Sequence, residues 1–319
     1  NAIVDADNFK IDGGQGSDGQ LLTSTGSGVA WEDAPAGGPT FKTFGTSSIM
    51  IGDSTTGTID AANYNVGLGV DVFAALTTGD DNVAVGFGAA GALTTGVRNV
   101  FVGEEAGSIG TATSYSVGIG RESLKNATGN SNTGVGYVAL KGLTSGINNT
   151  AVGRSAMTGV VTGEYNSVLG YGAGGAITSG NYNVAIGGLA FDANTTGGGN
   201  VAVGTSALGA NTTADGNTAL GNDALAVNTT GTFNTAVGLS ALDANTTASN
   251  NTAVGYNSLT ANTTATGNTA IGGYSLTANT TGTTNSGFGS IIILGADTSQ
   301  SESTTSQRTD IKTYAVFIK

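Results

Sequence analysis

Asn251-Thr252-Ala253-Val254-Gly255-Tyr256-Asn257-Ser258-Leu259-Thr260-Ala261-Asn262-Thr263-Thr264-Ala265-Thr266-Gly267 is one beat of a clock that runs through this chain. A short apolar strand beginning with Asn or Ser and ending in Gly starts at Ser48, Asn65, Asn82, Asn99, Ser116, Asn132, Asn149, Asn166, Asn183, Asn200, Asn217, Asn234, Asn251, Asn268 and Asn285. Every step is 17 residues except the 16 between Ser116 and Asn132. A period this strict marks a stacked repeat, in which each unit is too small to bury a core alone and is completed by its neighbours.

With the Asn as position 1, position 4 is aliphatic from Ile51, Leu68 and Val85 to Ile271, and Phe288 closes the series. Position 2 is Val, Thr, Ile or Ser, and position 3 is mostly Ala or Gly. Alternation over four or five residues, rich in β-branched types, reads as a strand. Positions 2 and 4 share one face, and the small position 3 leaves room for close packing on the other. A second anchor stands at position 9, as Phe73, Leu124, Leu140, Met157, Phe191, Leu208, Leu225, Leu242, Leu259 and Leu276. In several coils where position 9 is small, position 12 is apolar instead, as at Leu93 and Ile177. A polar turn follows, Leu76-Thr77-Thr78-Gly79 early and Asn-Thr-Thr from Asn194 to Thr281. Gly and Asn suit turn conformations with positive φ.

Two strands and two turns in 17 residues leave no space for a conventional helix. The expected fold is all-β, a parallel β-roll or β-solenoid of about fifteen coils, each pairing with the next at about 4.8 Å. Stacking sets residues 17 apart side by side: Asp81 by Arg98, Glu104 by Arg121, and Arg154 over the ring of Tyr171. It also sets Glu105 by Glu122 and Lys125 near Lys141, which are like-charge neighbours.

Composition closes other doors. The chain has 55 Gly, 2 Pro, 10% charged and 6% aromatic residues, which suits thin coils better than a wide globular core. With no Cys and no His, disulfides, thiolate or imidazole metal ligands and His-based catalytic pairs are excluded, and no cofactor or metal is expected. A net charge of -12, with neither Lys nor Arg from Ser155 to Gln307, argues against nucleic acid as a partner. No run approaches about 18 apolar residues, so no membrane insertion is expected, and no signal peptide is evident at the start. A chain that starts at Asn1 is expected to be processed or a fragment.

Runs such as Asn234-Thr235-Ala236-Val237-Gly238, followed by Ser240-Ala241-Leu242 and Asn245-Thr246-Thr247, resemble repeats of phage tail fibres. The Asn/Ser-x-Ala-Val/Ile-Gly strand is also similar to the head repeats of trimeric autotransporter adhesins, whose chains form left-handed parallel β-rolls. The segment from Gly16 to Trp31 resembles the linker-like segments that precede shafts in phage fibre proteins. The resemblance implies a homotrimer on a virion appendage or at an extracellular or cell surface. A second buried surface is also expected physically, because one thin coil buries little against the cost of ordering its residues. The expected organisation is an N-terminal attachment segment at 1–40, the shaft at 41–296, and a C-terminal spacer and strand at 297–319. Within the last of these, Tyr314, Val316 and Ile318 alternate, as a strand that caps the shaft or pairs with another subunit would.

Several features invite sharper readings. Gly13 to Asp18 matches one calcium-binding nonapeptide pattern, but such sites need tandem copies, so a flexible linker is expected. The Asn-Thr-Thr triplets fit a glycosylation sequon, yet turn chemistry explains their place. Aligned Asn and Thr columns are a feature of ice-binding solenoids, although here they fall in a turn. Asp80-Asp81 and Glu104-Glu105 supply acids for a glycosidase pair, but adjacent strand residues point to opposite faces. Phe87, Tyr137, Tyr171 and Tyr256, at the outward position 6, could stack on host glycans or contact a protein receptor. The sequence therefore reads as a non-enzymatic fibre or adhesin shaft carrying surface contacts. The competing reading is a self-assembling extracellular filament or matrix protein.

Overall fold

A computed structural model describes residues 61–290 throughout and, before them, four strands: β1 (Gln20–Ser24), β2 (Val29–Asp33), β3 (Thr40–Phe44) and β4 (Ser48–Gly52). The Gly13–Asp18 motif, the prolines at 35 and 39, and the Tyr314–Ile318 alternation lie outside the described residues. The chain divides into two compact units, 1–41 and 42–319. In the first, β1 and β2 form an antiparallel pair with Leu22 in backbone register with Trp31.

The second unit is a parallel β-solenoid of about thirteen turns, with no helix among the described residues. Each turn contributes one short strand, from β5 (Val66–Gly69) and β6 (Val83–Val85) to β17 (Thr269–Ile271) and β18 (Ser286–Phe288). These strands lie in sequence order in one 16-stranded sheet that also includes β3 and β4. Pairing is in register at the repeat spacing, as in Val201 with Thr218 and Val203 with Leu220. Across the short coil the offset falls to 16, with Val117 facing Thr133.

The two-strand expectation is corrected. Positions 6 to 12 form a run of turns, because positions 7 and 9 are left-handed in nearly every coil, as at Glu105 (φ 55), Leu124 (φ 55) and Leu208 (φ 51). An extended strand cannot contain such residues.

The facing of the strand is the reverse of the expectation. Position 3 points inward and is buried, as at Ala84, Ala151, Ala202 and Ala253. Positions 2 and 4 point outward, and position 4 ranges from 39% exposed at Ile186 to 57% at Phe288 among its most exposed members. The interior is too narrow for three layers of aliphatic side chains. It is filled by mostly small residues at positions 3 and 8 and by one or two large residues, usually at position 9 and joined at position 12 by Leu76 and Leu143. Phe73, Leu140, Met157, Phe191 and Leu242 are fully buried there, and Leu93 and Ile177 do the same work from position 12. In the coil from Asn99, where positions 9 and 12 are Gly107 and Gly110, the ring of Phe101 fills the interior from position 3.

The position-1 asparagines from Asn65 to Asn268 are completely buried and form a ladder. The Asn65 Oδ1 accepts from both the backbone N–H and the Nδ2 of Asn82, at 2.9 and 3.0 Å. Asn82 Nδ2 also donates to the carbonyl of Gly96, across its own coil, at 2.9 Å. The same contacts recur at Asn166 and Asn234, among others. A second ladder runs through position 12. Asn211 Nδ2 donates to Asn194 Oδ1 at 3.0 Å, and Asn245 to Asn228 at 2.8 Å. The Asn of the Asn-Thr-Thr triplets is therefore an interior hydrogen-bonding residue, not a positive-φ turn residue.

Where Ser116 replaces Asn, the coil is one residue shorter, lost from the turn between Ala127 and Asn130. Asn132 reaches back to the Gly129 carbonyl at 3.1 Å while keeping its own coil's contact to Gly146 at 2.9 Å. Thr113 Oγ1 donates to Ala127 O at 2.6 Å. The shortened coil thus keeps its inward carbonyls paired without a side-chain amide of its own.

Position 5 is always Gly because two constraints meet there. At Gly238 φ is 134°, and an added Cβ would lie 2.5 Å from the carbonyl oxygen of Gly255 in the next coil. Gly238→Ala is expected to prevent a native-like fold in this part of the shaft, seen as new protease cleavage around the substitution. Asn217→Ala orphans the N–H of Asn234 and removes one of the two side-chain amides that donate to the Gly231 carbonyl, the other being that of Asn228. It should lower unfolding stability by about 2 kcal/mol, measured by denaturant titration, whereas Thr264→Ala on the exposed turn should change it by less than about 0.5 kcal/mol.

Candidate functional site

With the coil fixed from inside, the outward positions are free to carry function. Phe87, Tyr137, Tyr171 and Tyr256 are all exposed at position 6. The structure does not gather them into one site. Tyr137 and Tyr171 flank Arg154, whose guanidinium carbon lies 5.9 and 5.7 Å from their ring centres. Tyr256 instead meets Tyr274 edge-on, with centroids 5.0 Å apart. Phe87 stands one coil before Glu104 in the same column, beside a depression described below.

A second aromatic column runs through position 17, just before the buried Asn. It comprises Tyr64, Tyr115, Tyr165, Tyr182 and Phe233, all exposed. Tyr165 and Tyr182 stack in parallel at 5.2 Å. The sequence reading passed over this column, although its spacing from the Asn series was the available signal.

The ion-pair register follows the repeat. Arg98 pairs with Asp81 at 3.4 Å and Arg121 with Glu104 at 3.1 Å. The feared like-charge neighbours resolve on the diagonal: Lys125 bridges Glu105 (2.6 Å) and Glu122 (3.2 Å), and Lys141 also reaches Glu122 at 2.6 Å. Hydrogen bonds from Lys141 and Lys125 hold the Glu122 carboxyl at about 2, well below its ordinary value, against the opposing effect of burial.

The remaining acids do not converge. Asp80 accepts from the backbone N–H of Asn63 at 2.7 Å, while Asp81, Glu104 and Glu105 are each paired with a cation. Burial pushes the carboxyls of Asp192 and Asp243 up. These two occupy position 10 three coils apart, or about 14 Å at the strand spacing. Glycosidase pairs stand about 5 to 9.5 Å apart. Among the described residues no cluster of acids could hold a metal ion, and no helix is long and apolar enough to cross a membrane. The position-13 hydroxyls are engaged within the ladder: Thr195 Oγ1 donates to Thr212 O at 3.1 Å and Thr229 to Thr246 O at 3.0 Å.

A concave feature interrupts this surface among the described residues. Positions 10 and 11 are Ala74-Ala75, Gly91-Ala92 and Ser108-Ile109 in three successive coils, so little side chain covers the turns there. The result is a shallow, open depression of about 660 Å³ bordered by Phe87, Asp71, Glu105, Ile109 and Lys125. It contains no residue of positions 2 or 4. Comparison of the chain with protein-family models, curated proteins and solved structures finds no match.

Glu122 gives a pH test. A carboxyl lowered on folding adds stability that is complete above its unfolded value, near 4.5, and is lost as pH falls toward about 2. Thermal melts of wild type and Glu122→Gln should differ at pH 7 and converge between about pH 4.5 and pH 2; a gap that persists unchanged to pH 2 would reject the ion-pair assignment.

Proposed function

We propose that this protein is a non-enzymatic fibre shaft of the phage tail-fibre or adhesin type, assembled as a homotrimer and carrying surface contacts on its outward columns. The observation that supports this reading most is the outward aliphatic stripe at position 4, widened by Val at position 2 at Val66, Val83, Val100, Val117, Val184 and Val201. Val66, Leu68, Ile119, Leu169, Leu220 and Ile271 stand exposed along one sheet face, in register with every coil. Thirteen steps at about 4.8 Å, and three residues across at about 3.3 Å, give roughly 600 Å² of flat projection. From Thr133 onward position 2 is Thr or Ser except at Val184 and Val201, so only part of that strip is apolar. The whole strip approaches the roughly 800 Å² that each partner brings to a standard interface.

A second copy of the same chain is the natural occupant, because it presents the same stripe at the same pitch. Trimer, rather than dimer, follows from the resemblance to fibre and adhesin repeats. The interface moves with the correction to the fold: position 3, first expected to admit a neighbouring chain, is inside, and the neighbour meets positions 2 and 4. The dispersed acids support a non-enzymatic role, and the location would be a virion appendage or an extracellular surface. The filament reading shares this shaft and differs in adding end-to-end contacts.

Light scattering with negative-stain imaging tests the proposal. A discrete particle near three times 31.0 kDa is expected, whereas concentration-dependent polymers would favour the filament. Leu169→Glu combined with Ile186→Glu puts charges on the stripe without touching the interior. The double variant should reduce the particle to a folded monomer, and a wild-type protein that is already monomeric would reject the trimer.

A further inference from the structure

We propose that copies of this chain join along a seam in which position 17 of one copy meets position 6 of the next, parallel and in register. This rests on the shaft reading and deepens it, since it names the residues that a neighbouring copy contributes. From the row of Asn65 onward, position 17 stands just before the position-1 residue and position 6 just after the position-5 Gly, so the two columns border the outward stripe at positions 2 and 4. Their large apolar members are all exposed, from Tyr64 and Val70 to Phe233, Leu239 and Tyr256.

The two ends of a row are separated by the whole strand, about 20 Å at 3.3 Å per residue, which is beyond side-chain contact within one chain. Arg98 pairs instead with Asp81, and Glu104 with Arg121, each along its own column. Yet the ends of a row match one another. Arg98 shares its row with Glu104, Tyr115 with Arg121, Tyr165 with Tyr171, and Phe233 with Leu239. These are an opposite-charge, a cation–π, an aromatic and an apolar pair. Rotation about an axis parallel to the rod brings one end of a row against the other end of the same row in the next copy, at the same height.

Charge fixes that height. Displacing one copy by one coil sets Asp81 against Glu104 and Arg98 against Arg121, two like-charge contacts. The opposite displacement sets Arg98 against Phe87 and Glu104 against Tyr115, and forms no ion pair. An antiparallel pair sets each column against itself run backwards, so the row partners never meet. Exposed ion pairs add little affinity, but they discriminate between registers. The position-6 aromatics Tyr137, Tyr171 and Tyr256 then serve contact between copies.

The test uses introduced thiols, because the chain has no Cys of its own. Phe233→Cys with Leu239→Cys, and separately Tyr165→Cys with Tyr171→Cys, are treated with a short bismaleimide and run on a denaturing gel. Light scattering on the untreated variants should give the wild-type mass. Each row-matched double variant should run mainly as covalent trimers and each single variant as a monomer. Phe233→Cys with Gly188→Cys, three coils out of row, should cross-link at least tenfold less. Trimers by light scattering whose row-matched variants do not cross-link, or whose single variants do, reject the seam and keep the trimer. Row-matched variants that cross-link only to dimers, in a protein that scatters as a dimer, keep the seam and reject the trimer. A monomer rejects both.

Discussion

Everything in this solenoid hangs from the buried amide of the position-1 asparagine. Half of each coil is a run of turns, and turns leave carbonyls that no strand partner satisfies. An uncompensated inward carbonyl would cost about 1 to 3 kcal/mol in every coil. The asparagine side chain supplies the missing donor and, with its oxygen, accepts from the next coil, so one residue closes its own turn and ties it to its neighbour. Asp would place like charges about 4.8 Å apart along the interior. Ser lacks the second reach. At Ser116 its hydroxyl still accepts from the N–H of Asn132, at 3.2 Å, but the coil must shorten and the Asn132 amide is shared among the carbonyls of Gly129, Asn130 and Gly146. The 16-residue step is thus tied to the one position between Asn65 and Asn285 where the series lacks Asn.

The ladder also explains why the coil is strained and still forms. Non-glycine residues at positions 7, 9 and 17 adopt positive φ, including Leu124, Tyr165 and Leu242. Each costs roughly 1 to 2 kcal/mol relative to a right-handed conformation. These reversals aim the position-9 side chain inward and turn the backbone sharply enough to return in 17 residues. Burial of that side chain and the intercoil hydrogen bonds oppose the cost, and both exist only when a neighbouring coil is present. Cooperativity between coils therefore follows from local strain.

Period, strand position, the position-9 anchor and the Asp81–Arg98 and Glu104–Arg121 register were all legible in the sequence. The facing of the strand was not. Alternation shows that positions 2 and 4 lie together and that 1 and 3 lie together, but gives no sign for which pair is inside. Assigning the aliphatic pair to the core assumes an interior wide enough to hold it. The recurrence of Asn at position 1 carried the missing information, because a polar residue held so strictly alongside Ala at position 3 is what a narrow, hydrogen-bonded interior requires. The position-12 Asn series carried the same message and was read instead as turn chemistry.

The candidate site was only half legible for a related reason. Phe87 stands out in a sequence because it is large, but the depression beside it is made by Ala74, Gly91 and Ser108, residues notable only for what they lack. Side chains that bridge diagonally, such as Lys125 between Glu105 and Glu122, likewise escape a reading that compares residues one repeat apart. Both effects arise because the interior columns set the backbone while the outward columns add or omit bulk at each step. Positions 1, 3, 5, 8, 9 and 12 fix the coil. Positions 6, 7, 10, 11 and 17 can then differ from one step to the next without disturbing it, so a uniform scaffold acquires a local surface wherever several of them change together, as they do from Asp71 to Lys125.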